Sequence, residues 1–224
     1  MKANKYFPGT EYESSFWKKE LLVAGVDEAG RGALAGPVVS AAIILPIHSV
    51  NDLQCRDSKL MSATERERVF EILHERALAI GIGIISHDEI DRVNIRVATR
   101  LAMSKALEQL QPLPRHALID GNYFEHATLP FSTIVKGDYH CYSIAAASVI
   151  AKVTRDRIMN ELEGELGSLY YFAKNKGYGT ATHRAALQKL GPSSSHRMTF
   201  LKRILNQDEL PFQEHTRDQS DRRD

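Results

Sequence analysis

Short apolar runs alternate along the chain with longer stretches whose apolar positions recur every three or four residues. Leu21–Asp27 and Val38–Leu45 are near-continuous apolar runs, the pattern of strands covered on both faces, and Pro46 closes the second. Ile80–Ile85 interleaves apolar residues with glycine and reads as a third strand, followed by a short fourth at His116–Asp120 and a fifth at Phe131–Val135. Ser62-Ala-Thr-Glu65 has the form of a capping box and opens a helix to about Ala79, with Val69, Ile72 and Leu73 turned inward. Ile95, Ala98, Ala102, Ala106 and Leu110 mark one helix over Ile90–Leu110, stopped by Pro112 and Pro114. Ser143 opens a long helix to about Glu163, whose small residues (Ala145, Ala146, Ala147, Ser148, Ala151) permit close packing on a sheet. Two paired strands followed by strands alternating with helices predict an α/β fold, a mixed five-stranded sheet flanked by helices.

Around this core (residues 20–165) the pattern places a leader over residues 1–19. A short helix from Ser14 to Glu20 carries Trp17 there as a packing anchor. A small helical lobe covers residues 166–205. The charged, apolar-poor tail, 206–224, is expected to be disordered.

Composition narrows the class. With 224 residues, 43% hydrophobic and 25% charged, the chain suits one buried domain with a small appended lobe. No run approaches the roughly 18 apolar residues of a membrane span, and the N-terminus lacks the apolar core of a secretory signal. Cys55 and Cys141 form neither a disulfide framework nor a zinc spacing. The expectation is a cytoplasmic monomer without membrane contact. The net charge of +1 conceals an asymmetry. Leu166–Gln207 has no Asp or Glu, yet contains Lys174, Lys176, Arg184, Lys189, Arg197, Lys202 and Arg203. A basic segment of this kind suits a polyanionic partner, with a solvated helical surface as the alternative.

The candidate chemistry lies at the strand ends. The first predicted strand ends in Asp27 and Glu28, followed by Gly30-Arg31-Gly32; the fourth ends in Asp120, and Asp138 follows the fifth. If adjacent in the sheet, four carboxylates converge, and so many anions persist near neutral pH only with cations among them. Oxygen-only ligands favour Mg²⁺ or Mn²⁺ over zinc. Two such ions suit hydrolysis of a phosphodiester, with Arg31 as a partner for phosphate and the glycines admitting close backbone approach. Strand side chains alternate, so Asp27 and Glu28 share a site only if the backbone bends, for which Ala29-Gly30 is suited. Ser58 and Lys59 read either as a phosphate contact or as a helix-entry loop. Lys152 and Arg155 read as an exposed helix face, with a place along a polyanionic partner as the alternative, and His183 reads as structural.

Five segments together resemble the bacterial ribonuclease HII family. They are Val-Asp-Glu-Ala-Gly-Arg-Gly (26–32), Leu-Ile-Asp-Gly-Asn (118–122), Lys-Gly-Asp (136–138), Ser-Ile-Ala-Ala-Ala-Ser-Val-Ile-Ala-Lys-Val-Thr-Arg-Asp (143–156) and Lys-Gly-Tyr-Gly-Thr (176–180). The resemblance implies a ribonuclease H-like fold with a helical C-terminal lobe. It implies cleavage of RNA in RNA–DNA hybrids and 5′ of single ribonucleotides in duplex DNA, leaving a 3′-hydroxyl and a 5′-phosphate. By the same resemblance Asp27 bridges two metal ions, and Glu28, Asp120 and Asp138 complete the ligands. Gly30, Arg31 and Gly32 grip the junction ribonucleotide, and Tyr178 stacks on its sugar. Ala33 stands where the family usually has proline, and Tyr-His-Cys-Tyr (139–142) is bulkier than the family pattern. The Gly-Arg-Gly loop argues against ribonuclease HIII. A junction resolvase or a hybrid-binding module without catalysis are the other readings.

Overall fold

Which face of each strand is apolar decides what packs on it. The computed structural model describes residues 7–126, 128–166 and 168–205; the tail expected to be disordered lies outside the described residues. Five strands, β1 (Val23–Ala29), β2 (Val38–Ile44), β3 (Ala79–Ile85), β4 (His116–Asp120) and β5 (Phe131–Ile134), form one sheet in the order β3-β2-β1-β4-β5. The β1–β2 and β2–β3 pairs are antiparallel; β1–β4 and β4–β5 are parallel.

The helices are α1 (Glu11–Trp17), α2 (Ala63–Arg76), α3 (His87–Val93), α4 (Ile95–Glu108), α5 (Gly137–His140), α6 (Tyr142–Leu166), α7 (Phe172–Asn175), α8 (Ala181–Leu190) and α9 (Met198–Leu205). Every residue of β2 is buried because alternate side chains serve different layers. Ala41 and Ile43 pack with Ile144, Ala147 and Ile150 of α6 and Leu73 of α2. Ala42 and Ile44 pack with Met103 and Leu107 of α4. The first turn of α6 lies directly on β1: a Cβ added to Gly25 would stand 2.2 Å from the Ser143 carbonyl carbon. Only glycine admits that approach.

Local chemistry sets the helix boundaries. The Ser62–Glu65 capping box at the start of α2 is complete, with both reciprocal hydrogen bonds. The single helix expected over Ile90–Leu110 is instead α3 and α4. Asn94 stands between them at φ 69°, its side chain accepting from Arg96 N and Val97 N. That backbone lies outside the helical region and Asn is a strong N-cap, so it ends one helix and starts the next. Helix α1 begins and ends earlier than expected. Its buried Glu13 accepts from Ser143 N and Ser143 Oγ, both at 2.7 Å, placing a carboxylate at the N-terminus of α6. Trp17 is buried beside it, as a packing anchor should be. Among the described residues no helix is long and apolar enough to cross a membrane.

Beyond the sheet, α7–α9 gather around a separate core of Met159, Tyr170, Phe172, Leu187 and Leu201, which also takes in Leu34. This lobe is knitted to the segment between β1 and β2. Leu34 N donates to Gly177 O, Gly36 N to Ser195 O, and Arg197 N to Leu34 O, at 2.8–2.9 Å.

Candidate active site

Strand register brings the acids together. Strand β1 pairs with β2 as far as Ala29↔Val39, but its ladder with β4 stops at Val26↔Ile119. The β4-side edge of β1 is therefore uncovered from Asp27 onward, and Asp120, the last residue of β4, stands at that opening. One carboxylate oxygen each from Asp27, Glu28 and Asp120 lies within 4.8 Å of the others. Strand β1 runs through Ala29, past both acids, and the backbone turns at Gly30, at φ 90°.

Asp138 is placed differently from the strand end expected for it. It lies in the first turn of α5, after Lys136 adopts a left-handed conformation at φ 56°. Its Oδ2 accepts from Lys59 Nζ at 3.1 Å, and it stands outside the triplet while bordering it. Asp120 Oδ1 accepts from Gly137 N at 2.7 Å, which ties β4 to the start of α5.

The electrostatics report crowding. Burial pushes the Asp27 carboxyl well above its ordinary range, and Glu28, Asp120 and Asp138 push it further. Burial and Asp120 raise Glu28, against the opposing pull of Arg31, whose Nη1 lies 3.7 Å from Glu28 Oε1. Burial and Asp138 likewise raise Asp120. Oxygen-only donors, mutually repelling and largely withdrawn from water, fit hard divalent cations such as Mg²⁺ or Mn²⁺.

A cleft of about 490 Å³ opens beside these acids. It brings Asp27, Glu28 and Asp120 together with Gly30, Arg31, Gly32, Ser58, Lys59 and Tyr178, so of the ten site residues singled out in the sequence only Asp138 is missing from its walls. Lys59 does not stand free for a phosphate, since it bridges Asp138 and Asp57 at 3.1 and 3.2 Å. Arg31 and Gly32 are exposed, and a Cβ added to Gly32 would meet nothing within 4 Å, so bare backbone faces the opening. Tyr178 follows Gly177 at φ 77°, and its ring lies 5.3 Å from the Arg155 guanidinium and 6.0 Å from Lys152 Nζ.

Two arginines shape this cleft from behind, and sequence reasoning missed both. Arg155, expected on an exposed helix face, is fully buried. It donates to the carbonyls of Pro37, Ala35 and Lys176 at 2.8–3.1 Å. Arg197, counted among the basic residues of the lobe, is also fully buried and donates to Gly36, Arg31 and Pro37 at 2.9–3.1 Å. Burial, with Arg155 alongside, pulls Arg197 down to about 9, which leaves it cationic at neutral pH. The signal for Arg155 was present: Ile144, Ser148, Ala151, Arg155 and Met159 share one helical stripe, and all are buried. Gly30, at φ 90°, is required by the same arrangement, because a Cβ there would lie 1.9 Å from Arg155 Nε. Lys174, Arg184, Lys189 and Lys202 of the lobe are exposed. His183 is buried and bonded to Tyr178 O and His196, a structural part.

Comparison with known proteins gives the family and the fold. The family model for ribonuclease HII matches residues 24–203. Proteins called ribonuclease HII from Phocaeicola vulgatus and Thermosynechococcus vestitus are 47% and 48% identical over 201 and 198 residues. Those alignments cover 88% and 87% of this chain and 98% and 91% of the relatives. Among solved structures, ribonuclease H2 from Pyrococcus horikoshii superposes with a TM-score of 0.70 at 24% identity, covering 82% of this chain and 97% of the other. A ribonuclease HIII structure, Bst-RNase HIII in complex with Mn²⁺, superposes at 0.66 with 18% identity, covering 83% and 69%, and so shares the fold. The chain belongs to the ribonuclease HII family of metal-dependent ribonucleases.

Proposed function

We propose that this protein cuts the phosphodiester bond 5′ of a ribonucleotide embedded in duplex DNA, and the RNA strand of RNA–DNA hybrids, leaving a 3′-hydroxyl and a 5′-phosphate. The observation that carries the reading is one cleft holding three converging carboxylates, a Gly-Arg-Gly loop exposed at Arg31 and Gly32, and an aromatic ring.

In this reading Asp27, Glu28 and Asp120, with Asp138 beside them, would hold Mg²⁺ or Mn²⁺. Bound there, divalent ions would supply an activated water and offset charge on the leaving oxygen. Arg31 pairs with a phosphate flanking the cut. Backbone N–H groups at Gly30 and Gly32 approach the 2′-hydroxyl, the one group that distinguishes RNA from DNA at the site. Tyr178 presents its face to the sugar at the junction. Ser58 contributes its hydroxyl to the cleft wall, and Lys59 sets the position of Asp138. The exposed lysines of the lobe add sequence-independent attraction for the duplex. His183 faces the lobe interior, and Cys55 and Cys141 are buried, away from this chemistry.

The deciding experiment uses duplex DNA with one ribonucleotide, with and without Mg²⁺ or Mn²⁺. A metal-dependent cut on the 5′ side of that residue supports the proposal. Cutting only in runs of ribonucleotides favours a ribonuclease HIII-like specificity, and binding without turnover favours a non-catalytic module.

A further inference from the structure

A second cleft, of about 480 Å³, adjoins the first and shares Glu28, Arg31 and Asp120 with it. Its remaining wall is formed by the first turns of α4, with Arg96 and Arg100, and by Tyr123 in the segment after β4. The two arginines are four residues apart and so lie on one helix face. Their side chains are held in place. The Arg96 guanidinium sits 3.9 Å from the centroid of the Tyr123 ring. The Tyr123 hydroxyl donates to Glu125, and Glu125 also pairs with Arg100.

Stacking on the ring covers one face of the Arg96 guanidinium and leaves its in-plane N–H donors for an anion. Charged side chains lining the cleft are three arginines and two carboxylates, both assigned above to the divalent ions; Glu125, outside the lining, takes Nη1 of Arg100 and leaves its Nε and Nη2 donors for an anion. Because the clefts meet at Glu28 and Asp120, a strand whose linkage lies over those acids runs out through both.

We infer that the second cleft holds backbone phosphates of the cleaved strand beside the scissile linkage, with Arg96 and Arg100 as their partners. The inference rests on the nuclease reading above and extends it to two residues outside the five segments that carry the resemblance.

The test uses the full chain and the double variant R96Q/R100Q, whose altered side chains are on the surface of α4. Affinity for a hybrid duplex is measured in EDTA over a range of salt concentrations. The slope of log K against log[salt] should become shallower by about 0.9 for each phosphate that the variant no longer neutralises. In cleavage the defect should fall on KM rather than kcat. Single neutral methylphosphonates are then placed on either side of the cut. The wild type should lose activity severalfold at the positions this cleft serves, and the variant should lose nothing further there. An unchanged salt slope, or equal methylphosphonate penalties in both proteins, overturns the inference. Failure of the wild type to cut a one-ribonucleotide duplex overturns the nuclease reading instead, and the salt slope still decides the role of this cleft.

Discussion

Arg155 and Arg197, from α6 and from the residue preceding α9, donate to the same acceptor, the carbonyl oxygen of Pro37, at 2.9 and 3.0 Å. Between them they also bond the carbonyls of Arg31, Ala35, Gly36 and Lys176. The turn that carries Gly30-Arg31-Gly32 and the segment that carries Tyr178 are thus fastened to one pair of buried cations. A buried guanidinium is tolerated when its N–H groups are satisfied, and here carbonyl oxygens satisfy them. The C-terminal lobe therefore sets the shape of the cleft as well as adding surface charge.

Arg197→Ala should test that fastening. It leaves three carbonyls without this donor and opens space in the interior, at a cost of about 2–4 kcal/mol. Thermal melting should fall by about 2–4 °C for each kcal/mol in a chain of this size. Below that transition kcat on a one-ribonucleotide duplex should drop, and Arg197→Lys should recover part of it. Wild-type melting and turnover in Arg197→Ala would show that no such clamp operates.

Asp27→Asn should abolish cleavage while sparing much of the affinity for duplex, because that affinity rests largely on phosphate contacts. The same change removes a buried charge from a crowded anionic site, so without metal the variant should melt no lower than the wild type. Mn²⁺ should raise the melting temperature of the wild type and have a much smaller effect on the variant. Cleavage at a normal rate by Asp27→Asn would sink the metal assignment.

Tyr178→Ala should reduce cleavage at a single embedded ribonucleotide more than it reduces affinity for plain duplex DNA. Tyr178→Phe should retain most of the activity, since the proposed contact uses the ring face. Paired rate and binding measurements check this, and equal reductions in both would leave Tyr178 no part in reading the junction.

The buried histidine pair predicts a pH dependence of stability. His183 Nδ1 faces the Tyr178 carbonyl at 3.0 Å and so carries its proton there. His183 Nε2 then accepts from His196 Nε2 at 2.9 Å, and His196 Nδ1 accepts from Ser193 N at 2.9 Å. Both rings are neutral in this arrangement, and a further proton would set donor against donor. Burial lowers His183 below its ordinary 6.5, and burial together with His183 lowers His196 to about 4. Folded values below unfolded ones mean stability that is complete above about 6.5 and is lost as pH falls toward 4. The loss at pH 5 is about 1–2 kcal/mol, and between pH 7 and pH 5 the melting temperature of His196→Gln should fall less than that of the wild type. A wild-type melting temperature flat between pH 7 and pH 5 would contradict the neutral pair.

Much of this was legible along the chain because it depends on local patterns. All five strands fall within a few residues of their apolar runs, and the Ser62 box starts α2 where expected. Asp120 ends β4, and Asp27 and Glu28 lie within the last three residues of β1, because both strands are apolar up to those acids. What escaped was the fate of single polar residues inside apolar stretches. Arg155 and Arg197 look like surface cations until their partners are known, and those partners are carbonyls that no side-chain pattern advertises. Asn94 was passed over because helical periodicity runs through it, while its backbone at φ 69° breaks the helix.

By itself, then, the amino-acid order determined the strands, the layers and the acids offered at strand ends, since alternation and capping act over a few residues. Tertiary structure alone decided which acids meet, through the register at which β4 stops against β1, and that Asp138 leans on Lys59 outside the triplet. It also decided that two arginines are structural and that two others line a second cleft. Register and burial depend on partners far away in the chain, and no local pattern encodes them.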